Sequence, residues 1–154
     1  MRKLIIYLIS FIVGLPVILV SVEFGGSFLV GYPPITIFVM HELPFMGKKF
    51  TSKKWFDAGS CRGLSDGECS TKQLSCPRGG MVRDLTKNYL VKGKTSRFQV
   101  SQLLGKVDGV FRFNNQQCYR YFVGMCSGLR IDYDSLYVCF DNQGLVSSSG
   151  HQQH

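Results

Sequence analysis

The sequence predicts an α+β protein in two parts. An apolar amino-terminal transmembrane helix is followed by a small two-layer domain, with two helices packed on a three- or four-stranded antiparallel sheet. Three observations predict it. Leu4–Val22 is an uncharged run of 19 residues, 14 of them Leu, Ile, Val or Phe. Residues 79–104 carry apolar side chains at helical spacing. Residues 110–146 carry short aromatic and β-branched runs separated by turn residues. With 45% hydrophobic residues among 154, and 18 Lys+Arg against 10 Asp+Glu, the chain is too apolar for disorder. Its length suits one domain with an appendage.

Nineteen helical residues reach about 28 Å, close to a hydrocarbon core of about 30 Å. Residues 1–23 are therefore expected to be a transmembrane anchor or an uncleaved signal. The apolar core is longer than that of a secretory peptide, and no Ala precedes Ala58 to supply a small-x-small cleavage site. Arg2 and Lys3 before the run predict a cytoplasmic amino terminus. Residues 24–78 read as a juxtamembrane apolar segment and then a loop-rich connector with many Cys and Gly. Phe28, Leu29, Val30, Ile35, Ile37, Phe38, Val39 and Met40 make its apolar patch, interrupted by Gly31, Pro33 and Pro34. The patch either lies on lipid and packs on the domain, or forms a second span. A second span would place everything downstream in the cytoplasm.

All six cysteines follow the apolar segment: Cys61, Cys69, Cys76, Cys118, Cys126 and Cys139. An even number confined to one side reads as disulfides in an oxidising compartment, which argues against the second span. Fifteen connectivities are open. Cys118 with Cys126 and one bridge within Cys61–Cys76 are the expected pairs, with Cys139 paired distantly or buried. No C-x-x-C pair occurs, and His41, His151 and His154 lie far from most of the Cys, so neither a metal nor a cofactor is expected. Lys48, Lys49, Lys53 and Lys54 alternate with Phe50, Trp55 and Phe56. These lysines and Trp55 are expected at lipid headgroups, where such mixtures accumulate. No nucleic-acid partner is expected of an exported domain.

Met81, Leu85 and Tyr89, with Val82 and Leu90, predict a helix over 79–91 that ends before Gly93. Ser96 and Gln99 form a capping-box pair that opens a second helix over 96–104, with Val100, Leu103 and Leu104 as its stripe and Gly105 as its stop. Val110–Phe113 and Cys118–Val123 predict a hairpin turning at residues 114–117. Leu136–Phe140 alternates, with Leu136, Val138 and Phe140 on one face. A turn over Asp141–Gly144 and a last strand from Leu145 follow, and the polar tail Ser147–His154 is expected to fray. Helices followed by a run of strands argue for a two-layer α+β domain over 79–154.

Four stretches carry a family resemblance: Leu90-Val91-Lys92-Gly93; Ser96, Val100, Leu103-Leu104-Gly105 and Asp108; Tyr119, Tyr121 and Val123-Gly124; and Leu136, Val138, Phe140-Asp141, Gly144 and Val146. Residues 79–147 resemble the small cell-envelope proteins of the BamE (SmpA/OmlA) type, which share a fold with β-lactamase-inhibitor-protein repeats. Ser96 takes the capping place that falls one residue earlier in that pattern. The resemblance implies two helices on an antiparallel sheet and a role in binding proteins. With the anchor and the cysteines, it places the chain in a bacterial inner membrane as a single-pass protein with its carboxyl-terminal domain in the periplasm.

The expected function is thus a non-catalytic interaction module of the cell envelope, with membrane lipid and another envelope protein as partners. Arg112, Tyr119, Arg120 and Tyr121 are the candidate partner-binding residues, because Tyr and Arg concentrate at binding hot spots. The alternatives are an inhibitor or immunity protein against an envelope toxin or hydrolase, and a two-span protein with a cytoplasmic domain. No catalytic residue is expected and no small-molecule substrate is evident. The three His fall near lipid or in the tail, and Asp134 and Asp141 flank a strand.

Overall fold

The computed structural model describes residues 15–27, 33–128 and 132–154. The chain forms two units, Met1–Met40 and His41–His154. Among the described residues there are six helices and a four-stranded antiparallel sheet, an α+β architecture.

In the first unit, residues 15–27 are helical (α1). Val17, Ile18, Leu19, Val20 and Phe24 are all exposed, so apolar side chains surround this helix rather than forming one stripe. A short helix, α2 (Pro34–Ile37), begins on proline, whose missing N–H is not needed there. The Glu23 carboxylate supplies the cap. It accepts from the N–H groups of Ile35 at 2.9 Å and Thr36 at 3.0 Å, and from the Thr36 hydroxyl. Among the described residues no helix is long and apolar enough to cross a membrane. Residues 4–14 of the expected span lie outside the described residues, as do Arg2, Lys3, Phe28, Leu29, Val30 and Gly31.

The second unit begins with a 3-10 turn, Leu43–Phe45. Residues 47–80 are not the expected loop-rich connector, because they hold two helices, α3 (Ser52–Gly59) and α4 (Asp66–Leu74). Thr51 caps α3 by accepting from the Lys54 N–H, and Ser65 with Glu68 makes a full capping box on α4. The boundary expected at residue 79 is also corrected to His41. Phe45, Phe50 and Trp55 belong to the same core as the carboxyl-terminal helices and strands.

Gly79–Met81 is a 3-10 turn leading into α5 (Val82–Asn88), which buries Val82 and Leu85. The helix α6 (Arg97–Leu104) carries the Ser96–Gln99 capping box that its sequence predicts, and buries Val100 and Leu104. Gly105 ends it at φ 79°, a conformation open to glycine. Three helices, not two, therefore supply this core: α3 adds Trp55, which is 0% exposed.

The strands β1 (Gly109–Phe113), β2 (Gln116–Gly124), β3 (Asp134–Phe140) and β4 (Val146–Gln153) pair in sequence order. The β1–β2 turn is only Asn114-Asn115, with φ 48° and 60°. Positive φ at both central residues marks the type I′ turn that suits the twist of a tight hairpin. The tail expected to fray is instead β4. It pairs with β3 as far as Gln153, and the His154 N–H donates to the Tyr133 carbonyl at 2.9 Å. At the other end of β2 the register shifts at Gly124, φ 117°. A Cβ there would lie 2.6 Å from the backbone of Cys76, so glycine is what lets the two segments meet.

Candidate interaction surface

Strand alternation divides the sheet into two faces. Tyr121, Val123, Leu136, Val138, Phe140 and Val146 face the helices and are buried. The opposite face is built in rows set by the register. Phe111, Cys118, Cys139 and Ser148 form one row, Gly109, Arg120, Tyr137 and Gly150 the next, and Phe122, Ser135 and Gln152 a third. None of these side chains belongs to the core cluster.

This second face is aromatic and cationic. Phe113 extends it at 58% exposure. The Arg120 guanidinium lies 5.0 Å from the Phe111 ring centroid, a cation–π distance. Phe122 and Tyr133 meet at 5.4 Å. The Tyr137 ring crosses Gly150, where a Cβ would come within 2.9 Å of its hydroxyl. Two concavities open on the face. One, of about 280 Å³, lies beside Phe111, Phe113, Tyr137 and Cys139. The other, of about 480 Å³, is bordered by Asp108, Arg120, Phe122, Tyr133 and His154. Flat rings with one aligned guanidinium suit contact with another protein surface.

The four expected partner-binding residues do not share this face. Arg120 lies on it. Tyr121 points the other way and is 0% exposed, because in this register its face is the one the helices cover. Burial raises its phenol above the ordinary range, with Tyr119 adding to the shift. Tyr119 packs edge-on against Phe140 at 4.9 Å, beneath the Arg97 guanidinium. Arg112 is exposed on the helix side of β1. Phe122, Tyr133 and Tyr137 were not singled out from sequence, although the alternation that carries Arg120 also carries Phe122.

All six cysteines pair: Cys61–Cys69, Cys76–Cys126 and Cys118–Cys139. The expected Cys118–Cys126 bridge is corrected. The strand from Cys118 to Gly124 already covers roughly 20 Å, beyond the reach of a disulfide. Cys118 instead bridges to its cross-strand neighbour Cys139, with Cα atoms 3.9 Å apart. The bridge expected within Cys61–Cys76 is Cys61–Cys69.

Trp55, expected at a headgroup surface, is instead at the centre of the core. Lys53 pairs with Asp57 at 2.7 Å, which raises its ammonium pKa by hydrogen bonding first and charge second. Lys48 and Lys49 project from a segment fixed to α5. The Lys48 N–H donates to the Gly80 carbonyl at 3.0 Å, and the Phe50 N–H to Asp84 Oδ2 at 2.9 Å. Among the described residues no group of His, Cys, Asp or Glu converges as metal ligands would.

No family model, curated protein or solved structure matches the chain.

Proposed function

We propose that the chain is a membrane-tethered, non-catalytic interaction module of the bacterial cell envelope. The second unit lies outside the cytoplasm, and its aromatic sheet face receives another envelope protein. The observation that carries this reading is the face itself: Phe111, Phe122, Tyr133 and Tyr137 beside Arg120, with Phe113 extending the face past Phe111. Phe113 and Tyr133 are exposed and Phe111, Phe122 and Tyr137 half-buried, and aromatic surface left open to water marks a binding site more often than chance. Three disulfides support an oxidising compartment. The uncharged run Leu4–Val22 and the apolar side chains around α1 support the tether. The resemblance of residues 79–147 to BamE-type proteins supports a binding role.

A photo-crosslinking residue at Phe113, with Phe98 of α6 as control (70% exposed), tests the reading in intact cells. The expected result is one discrete membrane-protein adduct from position 113, lost in Arg120→Glu and absent from position 98. Equal labelling from both positions would overturn it. Alkylation in intact and permeabilised cells reports the compartment. Free, cytoplasm-facing thiols would favour the two-span alternative instead.

A further inference from the structure

We propose that Lys48, Lys49, Arg83 and Lys87 form a docking patch for the headgroups of anionic phospholipid. Lys48 and Lys49 come from the segment before α3, and Arg83 and Lys87 from exposed positions one turn apart on α5. The four surround a concavity of about 460 Å³ that contains a single carboxylate, Asp84. Asp84 is already engaged by the Phe50 N–H, by Lys49 at 3.0 Å and by Asn88 at 2.9 Å. The patch therefore keeps a surplus of positive charge. A second concavity, of about 500 Å³, shares Lys48 and Lys49 and adds Lys54.

Two features make this a fixed patch rather than scattered lysines. The backbone of residues 48–50 is tied to Gly80 and Asp84, while Phe50 is buried beneath it. The Lys48 stem lies over Gly80, where a Cβ would come within 3.0 Å of its Cδ. The chain itself favours a lipid surface as the occupant. The uncharged run proposed as the tether ends at Val22, 26 positions before Lys48 in the same chain. A bilayer tether would hold the cluster at high local concentration beside an anionic surface, which attracts each cation that comes within a Debye length. The proposal rests on the tether reading and adds to it the lipid class and α5.

The test uses the full chain in nanodiscs of phosphatidylcholine alone or mixed with phosphatidylglycerol, followed by amide hydrogen exchange. Slower exchange over 46–50 and 82–88 is expected only in the anionic discs, abolished by high salt and by the double variant R83E/K87E. Equal exchange in the two discs, with the chain retained in both, would overturn the patch and leave the tether standing. Failure of the chain to associate with either disc would overturn both. Protection produced in neutral discs by inorganic phosphate alone would assign the cluster to soluble anions and overturn the lipid assignment.

Discussion

The Arg78 guanidinium lies 4.7 Å from the centre of the Trp55 ring and donates through Nε to the Trp55 carbonyl at 3.1 Å. Its Nη1 donates to the Phe122 carbonyl, also at 3.1 Å. One side chain thus ties α3 to β2. Burial lowers its pKa, and Asp108 acts in the opposite sense. Gly59 leaves the space the guanidinium occupies, since a Cβ there would overlap Nη2. Arg78→Met is expected to destabilise the unit by about 1–3 kcal/mol, because two carbonyls lose their donors. Arg78→Lys should recover only part of this, since one ammonium cannot reproduce the planar fork. Denaturant unfolding of the three proteins checks the order.

The disulfides should contribute unequally. They close loops with sequence separations of 50 for Cys76–Cys126, 21 for Cys118–Cys139 and 8 for Cys61–Cys69. Chain entropy alone gives about 4, about 3 and about 2.5 kcal/mol respectively. Paired Cys→Ala variants compared by thermal unfolding should follow that order, with Cys76/Cys126 the most damaging. A reversed order would mean that the denatured chain keeps structure around Cys76.

Ser96 opens α6 and accepts from the Gln99 N–H at 3.3 Å, while Gln99 Oε1 accepts from the Ser96 N–H at 2.8 Å. Ser96→Ala should cost about 1 kcal/mol. Ser96→Asp should cost less, since a carboxylate caps equally well and favours the positive end of the helix. Melting temperatures measured near neutral pH separate the two variants.

Asp84 predicts an acid-side dependence. The Phe50 N–H, and then Lys49, hold its carboxyl below the ordinary Asp value. A group depressed in the folded state stabilises the fold above its unfolded pKa, and that stabilisation is lost as pH falls through the folded one. The protein should therefore lose stability on acidification below about pH 4. Asp84→Asn should flatten that part of the curve while leaving the alkaline side unchanged. Glu68, lowered by its hydrogen bonds to Ser65, shifts in the same direction and leaves a residual slope.

Much of the carboxyl-terminal half was legible because local chemistry and tertiary packing agree there. Ser96 and Gln99 mark a helix start in any context, and Leu136, Val138 and Phe140 mark a strand with one buried face. The α3 helix was hidden because Trp55 is its single fully buried side chain, set among lysines that resemble a lipid-facing stretch. The start of β4 was legible at Leu145 and Val146, but its run through Ser147–Gln153 was not, because those residues have no apolar pattern. Its ladder to β3 and the stacking of His151 on Phe45 hold it in place, and neither is visible locally. The interaction face was half legible: alternation separates Arg120 from Tyr121, but only the position of the helices says which of them is covered.

Phe45 and His151 stack at 3.9 Å, so the first and last segments of the unit are neighbours. The backbone of this unit is thereby almost a closed loop. Joining the end of β4 to residue 43 through a short bridge, and reopening the chain between Asn114 and Asn115, should yield a permuted molecule with the same four-strand order and the same three cystines.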